Sequence, residues 1–125
     1  MSKTIKGLLI DPEKRTVSPV EIPLDEDGSC LHGMYRAIGC ATVDCGRGGL
    51  RYLPSHPEDD VWFDDEGLFS GCKFSFMLPD WVPIIGRGLI LGFNDEGDCV
   101  DHTLTAEDID ALRSSIRWGF QFPAS

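Results

Sequence analysis

The chain has 125 residues, 42% of them hydrophobic, which fits a single domain, residues 1–125, with a core of its own. Asp and Glu total 21 against 11 Lys and Arg, which gives a formal net charge of -10 at pH 7. A surface of that sign repels nucleic-acid phosphates and anionic lipid headgroups, and it attracts basic proteins. Direct binding to nucleic acid or to a membrane is therefore not expected.

The sequence contains no targeting or membrane signal. No window approaches the run of about 18 apolar residues that a membrane span needs, and the segment 1–6 lacks the apolar core of a signal peptide. The cysteines are odd in number and do not form the dense framework of a small secreted protein; they are Cys30, Cys40, Cys45, Cys72 and Cys99. We therefore predict a cytoplasmic protein with reduced thiols.

The first third of the chain predicts a hairpin followed by a helix. Segments 5–10 and 16–22 carry strand patterns on either side of a short turn, which is typical of an antiparallel hairpin. A helix is predicted at about 29–38, because Ser29 can cap it, apolar residues follow at helical spacing, and Gly39 can end it.

The middle of the chain is predicted to be mostly irregular. A short strand is expected at 41–44, and the Gly- and Pro-rich segment 46–57 is expected to be a loop. Residues 61–64 and 68–69 flank an Asp-Glu-Gly turn, which predicts a second hairpin. The segment 74–78 is compatible with either a strand or a loop.

The last third predicts a buried strand and a second helix. The apolar run 88–93 is a strand, joined by an Asn-Asp-Glu-Gly turn to a return strand at 98–100. Thr105 can cap a helix at about 105–118, and an apolar tail follows at 120–123. Hairpins with helices between and after them indicate an α+β fold, with a small antiparallel or mixed sheet and two helices.

Two motifs in the second half carry a family resemblance. The segment Ile85–Asp98 combines a Gly-rich strand with the Asn-Asp-Glu-Gly turn, and Leu104–Ile109 is a Leu-Thr-Ala-Glu-Asp helix start. Together with the strand 5–10 and the turn 65–67, they resemble the phage- and plasmid-borne domain of unknown function 3846 family. The resemblance covers most of the chain and implies a mobile-element origin, but it brings no catalytic residue. Small acidic phage proteins are often inhibitors of bacterial defence systems.

The segment 58–66 holds the densest cluster of carboxylates. Together with an aromatic side chain it is the predicted partner-binding surface, made of Glu58, Asp59, Asp60, Trp62, Asp64, Asp65 and Glu66. We predict that Trp62 is partly exposed and that Phe63, which points to the other side of the strand, belongs to the core. Further acids lie at 25–27 and 95–101. Ordinary surface decoration and metal binding are the two other interpretations, and imitation of a nucleic-acid backbone, as in a DNA mimic, is a special case of partner binding.

The leading hypothesis is a phage-type inhibitor of a bacterial defence system, in an anti-CRISPR or anti-restriction form. It would bind a Lys- and Arg-rich host protein or ribonucleoprotein complex, as a monomer or a homodimer. The alternative is a small-ligand module that binds or sequesters a nucleotide signal. Its anion contacts would be Arg47, Arg51 and Arg87, which stand in glycine-rich contexts.

Catalysis is not expected, and no catalytic residue, metal site or cofactor is predicted. Asp101 and His102 are the only adjacent acid–histidine pair, and neighbours on a strand point to opposite faces. Cys40 and Cys45 lack the second pair that a structural zinc site needs. The acidic loop 25–28 lacks acids at the first and last positions of a calcium loop.

Overall fold

The computed structural model describes residues 3–66, 73–79 and 81–120. The elements follow one another in this order: β1 Thr4–Asp11, β2 Thr16–Pro23, α1 Leu31–Ile38, β3 Val43–Gly46, β4 Asp60–Asp64, β5 Phe74–Met77, β6 Ile84–Ile85, β7 Gly88–Phe93, β8 Cys99–Val100, α2 Ala106–Ser115 and β9 Arg117–Phe120. The chain is an α+β protein, as predicted.

Two antiparallel sheets form within the described residues. The larger one has the order β2-β1-β7-β4-β3, with β8 also paired to β7, and the smaller one has the order β6-β5-β9. The hairpins β1–β2 and β7–β8 confirm the predictions for 5–22 and 88–100. β7 lies between β1 and β4 in the larger sheet. Its side chains are therefore buried on both faces of the sheet, as its continuous apolar run predicts. The segment 74–78 forms β5, since it pairs with β6 and β9.

Each face of the larger sheet has a core of its own, because side chains alternate along a strand. Helix α1 covers one face, and the residues packed there include Ile22, Met34, Ile38, Leu89 and Leu91. Helix α2 and the smaller sheet cover the other face, and the residues packed there include Leu8, Val61, Phe76, Ile90 and Leu112. β4 therefore contributes to both layers, with Val61 on the second face.

Helix α1 lies close to β2 because position 33 is a glycine. A Cβ atom on Gly33 would lie 2.6 Å from Ile22 Cγ2 and 2.7 Å from the Pro23 carbonyl oxygen. Glycine inside a helix costs about 1 kcal/mol of helix propensity relative to alanine. The close packing of the helix on the strand outweighs that cost. The helix begins at Leu31, two residues after the predicted start, and its N-cap residue is Cys30 and not the predicted Ser29, whose Oγ accepts from the Leu31 amide at 3.2 Å. Gly39 ends the helix in the left-handed conformation, as predicted.

Helix α2 begins where the sequence predicts and ends earlier. The Asp108 amide donates to Thr105 Oγ1, and the Asp108 carboxylate accepts from the Thr105 amide, which forms a capping box. The predicted end at 118 is wrong, because Ile116 is extended and Arg117–Phe120 pair with β5. Strand pairing overrides the helical pattern there. Of the predicted apolar tail, residues 121–123 lie outside the described residues.

The middle strands also differ from expectation. β3 begins and ends two residues later than the predicted strand 41–44. β4 pairs with β3 on one edge and with β7 on the other, so both of its edges are occupied. The predicted return strand at 68–69 lies outside the described residues.

The cysteines are not all reduced. Cys30, just before α1, forms a disulfide with Cys99 in β8, 69 residues away along the chain. The prediction of reduced thiols is therefore wrong for this pair, because the packing of α1 on the sheet brings two distant cysteines together. Cys40 and Cys45 are free thiols, and Cys72 lies outside the described residues. In the part of the chain that is described, neither helix is long and apolar enough to cross a membrane.

Candidate functional site at the acidic end of the larger sheet

Strand β4 divides the predicted partner-binding segment into two groups. Asp60 pairs with Leu91 near the end of β7, whereas Phe63 pairs with Gly88 at its start. Asp60 and Asp64 are four residues apart, or about 13 Å along an extended strand. Consequently Asp60 and the preceding Glu58 lie at one end of the sheet, while Asp64, Asp65 and Glu66 lie at the other. The segment 58–66 does not form one continuous acidic patch.

Asp59 is not available to a partner. It is only 3% exposed, and its two carboxylate oxygens accept hydrogen bonds from the Thr103 amide and the Thr103 hydroxyl, each at 2.7 Å. This carboxylate fastens the segment before α2 to the start of β4. The inclusion of Asp59 in the predicted partner-binding surface is therefore wrong, because both of its carboxylate oxygens already accept internal hydrogen bonds.

The acids at the far end of β4 shape the turn that follows. Asp64 is half-buried, and one of its oxygens accepts a hydrogen bond from the Glu66 amide at 2.9 Å. Asp65 accepts one from the Thr42 hydroxyl. Asx-type hydrogen bonds of this kind are common in turns. Glu66 is exposed, and its role in binding stays a prediction.

The three predicted anion-binding arginines are not together. Arg87 lies at the far end of the sheet, where its Nε is 3.7 Å from Asp11 Oδ2 and its Nη1 donates to the Ala37 carbonyl oxygen at 3.5 Å. Arg47 and Arg51 line one cavity at the near end, beside Asp60. Two of the three arginines therefore line the same cavity as Glu58, Asp60 and Trp62, which belong to the predicted partner-binding surface.

This cavity has a volume of about 500 Å³. Its walls come from the end of β3, the following loop, the start of β4 and the β7–β8 turn; the lining residues are Cys45, Arg47, Gly48, Arg51, Glu58, Asp60, Trp62, Phe93 and Gly97. Register explains part of this set, because Cys45 pairs with Trp62 and Trp62 pairs with Leu89, which puts their side chains on one face. Phe93 is four residues after Leu89 on β7, so its side chain points to the same face of the sheet.

Trp62 and Phe63 point to opposite sides of β4, as predicted. Phe63 packs against the core below α2, and Trp62 is half-buried on the cavity side. The Trp62 and Phe93 rings lie 5.5 Å apart between centroids, with their planes 46° from parallel. The Trp62 indole N–H is buried and has no acceptor among the described residues. A buried donor without a partner costs about 1–3 kcal/mol, and such groups are rare.

The Cys45 thiol carries no charge at neutral pH. Burial raises its pKa, and the neighbouring Asp60 carboxylate raises it further, to about 12, although Arg47 acts in the opposite direction. The charged groups of the cavity are therefore two guanidinium groups, Arg47 and Arg51, and two carboxylates, Glu58 and Asp60. Cys40 also has a raised pKa, through burial and the nearby Asp64. A protonated thiol is a poor nucleophile, so neither cysteine resembles an activated catalytic residue.

The loop that carries the two arginines is held by the core. Leu50 and Leu53 are fully buried, and the Ser55 amide donates to Asp108 Oδ1 at 2.9 Å. The glycines of this segment make room for Trp81, since a Cβ atom on Gly46 or on Gly49 would overlap its ring. These two glycines thus serve close packing, and the sequence alone suggested only a turn or an anion-binding loop.

Three acidic segments border two adjoining cavities, and we call their carboxylates the acidic end: Asp25, Glu26, Asp27, Glu58, Asp60, Asp95, Glu96 and Asp98. The disulfide between Cys30 and Cys99 joins the loop after β2 to β8. Asp27 and Asp98 line a second cavity together with this disulfide and Gly97, and Gly97 also borders the first cavity. The acids of 25–27 and 95–98 were visible in the sequence, but only the packing of these loops shows that they adjoin Glu58 and Asp60.

Within the described ranges, no group of three or more His, Cys, Asp or Glu side chains is arranged to hold a metal ion. The Asp25 carboxylate lies 2.8 Å from His32 Nδ1, and the carboxylates of 95–98 follow a tight turn closed by Asn94, whose Oδ1 accepts from the amides of Glu96 and Asp98. The acidic loops are thus organised by hydrogen bonds to their own backbone and neighbours.

The model of the DUF3846 family, described as a domain of unknown function, matches residues 5–116. The chain belongs to this family. The family resemblance noted from the hairpin and helix motifs is therefore confirmed. No curated protein and no solved structure matches the chain. All residues of the acidic end and of the cavity lie within the matched range of this DUF3846 protein, so the candidate site belongs to the family domain.

Proposed function

We propose that this DUF3846 protein binds a basic protein surface through its acidic end and acts by binding rather than by catalysis. The observation that supports this most directly is that acids of three segments lie at one end of the larger sheet, where Glu58 and Asp60 line one cavity and Asp27 and Asp98 line a second cavity that shares Gly97 with it. Like charges placed this close repel one another, so their gathering at one end opposes stability. A basic partner would neutralise these carboxylates and relieve their repulsion. The electrostatic field of the carboxylates would also guide the partner to this end of the protein.

The concrete form that we propose is inhibition of a bacterial defence system, of the CRISPR or restriction type, in the host cytoplasm. Such complexes bind nucleic acid through Lys- and Arg-rich surfaces. An acidic protein that covers such a surface blocks it by charge and by bulk. Imitation of the nucleic-acid backbone is the more specific version of this proposal, and it implies that duplex DNA or guide RNA competes with the protein for the same surface.

A triple charge reversal tests the proposal. Glu26→Lys, Asp95→Lys and Glu96→Lys change three exposed side chains of the acidic end for which no hydrogen bond is seen within the described residues. Cells that carry a CRISPR or restriction system, express the protein and are infected with phage provide the readout. We expect the natural chain to restore phage plating and the triple variant to lose that effect. Plating that stays unchanged with the natural chain in both defence systems contradicts the proposal.

A matched control variant distinguishes the effect of where the acids lie from the effect of the total charge. Glu13→Lys, Glu66→Lys and Asp110→Lys alter three exposed acids away from the acidic end, and this variant has the same formal charge as the first. We expect the control to inhibit like the natural chain. If the control loses inhibition and the first variant keeps it, the binding surface lies at the Glu66 end of β4 and the acidic end is not the site.

A further inference from the structure

Arg47 and Arg51 differ from the other arginine of the predicted set in having no ion pair. Neither forms one within the described residues, whereas Arg87 pairs with Asp11. In a chain with 21 Asp and Glu against 11 Lys and Arg, unpaired arginines at an acidic end are unexpected. Two guanidinium groups on the wall of one cavity can share an anionic group, because each offers a planar fork of N–H donors.

The arginine-bearing loop is already shaped by the fold. Arg51 lies between Leu50 and Leu53, both fully buried, and its amide donates to the Gly48 carbonyl oxygen at 3.4 Å. The His56 Nδ1 lies 2.7 Å from the Arg51 carbonyl oxygen. The backbone that carries the exposed Arg51 side chain is therefore fixed, and a ligand would not have to order it. Preorganisation of this kind favours tight binding.

The rest of the cavity offers complementary chemistry. Trp62 and Phe93 provide aromatic surface, with ring centroids 5.5 Å apart, against which a flat ring can stack. Glu58 and Asp60 are acceptors for hydroxyl or amino groups of a ligand. The volume of about 500 Å³ lies within the range of roughly 300–1,000 Å³ that is typical of small-molecule sites.

We propose that this cavity binds a small molecule that combines an anionic group with a flat ring, the class that includes nucleoside monophosphates and aromatic carboxylates. The anionic group lies between Arg47 and Arg51, and the ring lies against Trp62 and Phe93. The cavity shares Glu58 and Asp60 with the acidic end, but the two arginines that hold the ligand are not among the residues changed in the docking test, so the two roles can be tested independently.

The surrounding acids do not prevent anion binding. Glu58 and Asp60 line the cavity and repel the anionic group directly, whereas the carboxylates of 25–27 and 95–98 act through solvent and are weakened by salt. The two guanidinium groups act at hydrogen-bonding distance, where the attraction is strongest. A charge reversal of Glu26, Asp95 and Glu96 should therefore leave ligand binding intact or strengthen it.

Calorimetric titration of the full chain tests the site. The probes are the four common nucleoside monophosphates, their nucleosides, inorganic phosphate and indole-3-acetate. We expect one ring-bearing anion to bind, with its uncharged counterpart and phosphate alone at least about tenfold weaker. A nucleotide response identifies phosphate as the anionic group, and an indole-3-acetate response identifies carboxylate. Absence of binding by every probe at millimolar concentration overturns the proposal.

Variants locate the binding. Arg51→Ala should weaken the ligand about tenfold or more through loss of a charge-assisted hydrogen bond, and Arg47→Ala should do the same. Arg36→Ala, an exposed arginine in the last turn of α1, is the matched control and should bind normally. Equal loss in the control places the ligand elsewhere. Arg51→Ala should still inhibit phage defence, so failure of the cavity and failure of the docking proposal give different results.

Discussion

At the residue scale, three carboxylates among the described residues are buried and act as internal acceptors. Asp11 accepts from the amides of Glu13 and Lys14 in the first hairpin, and Asp59 accepts from Thr103. Asp108 is fully buried and binds both Thr105 and Ser55. Its carboxylate thus caps α2 and anchors the arginine-bearing loop at once. A group that serves two elements contributes more to folding than its position in a helix suggests.

Asp108→Asn should reveal this contribution through its dependence on pH. Burial would raise the Asp108 pKa, but hydrogen bonds from Ser55 and Thr105 outweigh it and lower the pKa from the ordinary 3.8 to about 2. A lowered pKa stabilises the folded state above about pH 4, and that stabilisation is lost as the pH falls towards 2. We expect the variant to lose about 2 kcal/mol of unfolding free energy at pH 7, measured by urea denaturation.

The natural chain and the variant should become similar in stability near pH 2. Asp110→Asn, on the exposed side of the same helix, is the control and should change the unfolding free energy by less than about 0.5 kcal/mol. A constant difference between Asp108→Asn and the natural chain from pH 7 to pH 2 would show that the hydrogen bonds do not depend on ionisation of Asp108.

At the element scale, the Cys30–Cys99 disulfide joins the start of α1 to β8. The two cysteines are 69 residues apart, and the bond holds the loop 25–27 beside the turn 95–98. Cross-links that close long loops stabilise a fold chiefly by restricting the unfolded chain. The same bond keeps two acidic loops together against their mutual repulsion, so it connects the stability of the fold to the geometry of the candidate site.

Removal of this bond should destabilise the protein and loosen its acidic end. We expect Cys99→Ala to lower the unfolding free energy of the purified protein by about 2–4 kcal/mol in the absence of reductant. Peptide mapping without reduction should recover a fragment that links Cys30 to Cys99. Cys40→Ala removes a half-buried free thiol and serves as the control. Equal losses in both variants, with no linked fragment, would contradict the cross-link.

At the scale of the whole molecule, charge is distributed unevenly between the ends of the larger sheet. The acidic end collects carboxylates from three segments, whereas the far end contains the ion pair of Arg87 with Asp11 and the hydrogen-bonded Asp64 and Asp65. With a net charge of -10, repulsion opposes folding most strongly where these carboxylates are densest. Functional surfaces are often retained at some cost in stability.

Salt and charge reversal should therefore stabilise the unbound protein. We expect Tm to rise with sodium chloride, and we expect the reversal of Glu26, Asp95 and Glu96 to raise Tm by about 3–5 °C at low salt. The reversal of Glu13, Glu66 and Asp110 should raise it less, since those acids lie on three separate elements. Scanning calorimetry at low and high salt measures both effects. Identical shifts for the two variants would mean that total charge matters and its location does not.

Local signals in the sequence determined much of the fold. The hairpins β1–β2 and β7–β8 follow from strand patterns on either side of short turns, and the cap of α2 follows from Thr105 and Asp108, a few residues apart. The family, the net charge and the opposite orientations of Trp62 and Phe63 were likewise predictable. Each of these features depends on residues that are close in sequence or on composition, so no knowledge of distant contacts was needed.

The tertiary structure decided the features that depend on distant pairing. Partners 40 or more residues away convert Arg117–Phe120 from helix into strand and join Cys30 to Cys99. The register of β4 against β7 separates Asp60 from Asp64, and the burial of Asp59 removes it from the surface. The cavity exists because β3, β4, β7 and one loop meet at the same end of the sheet. Such meetings are determined by the packing of the whole chain, which no local pattern in the sequence encodes.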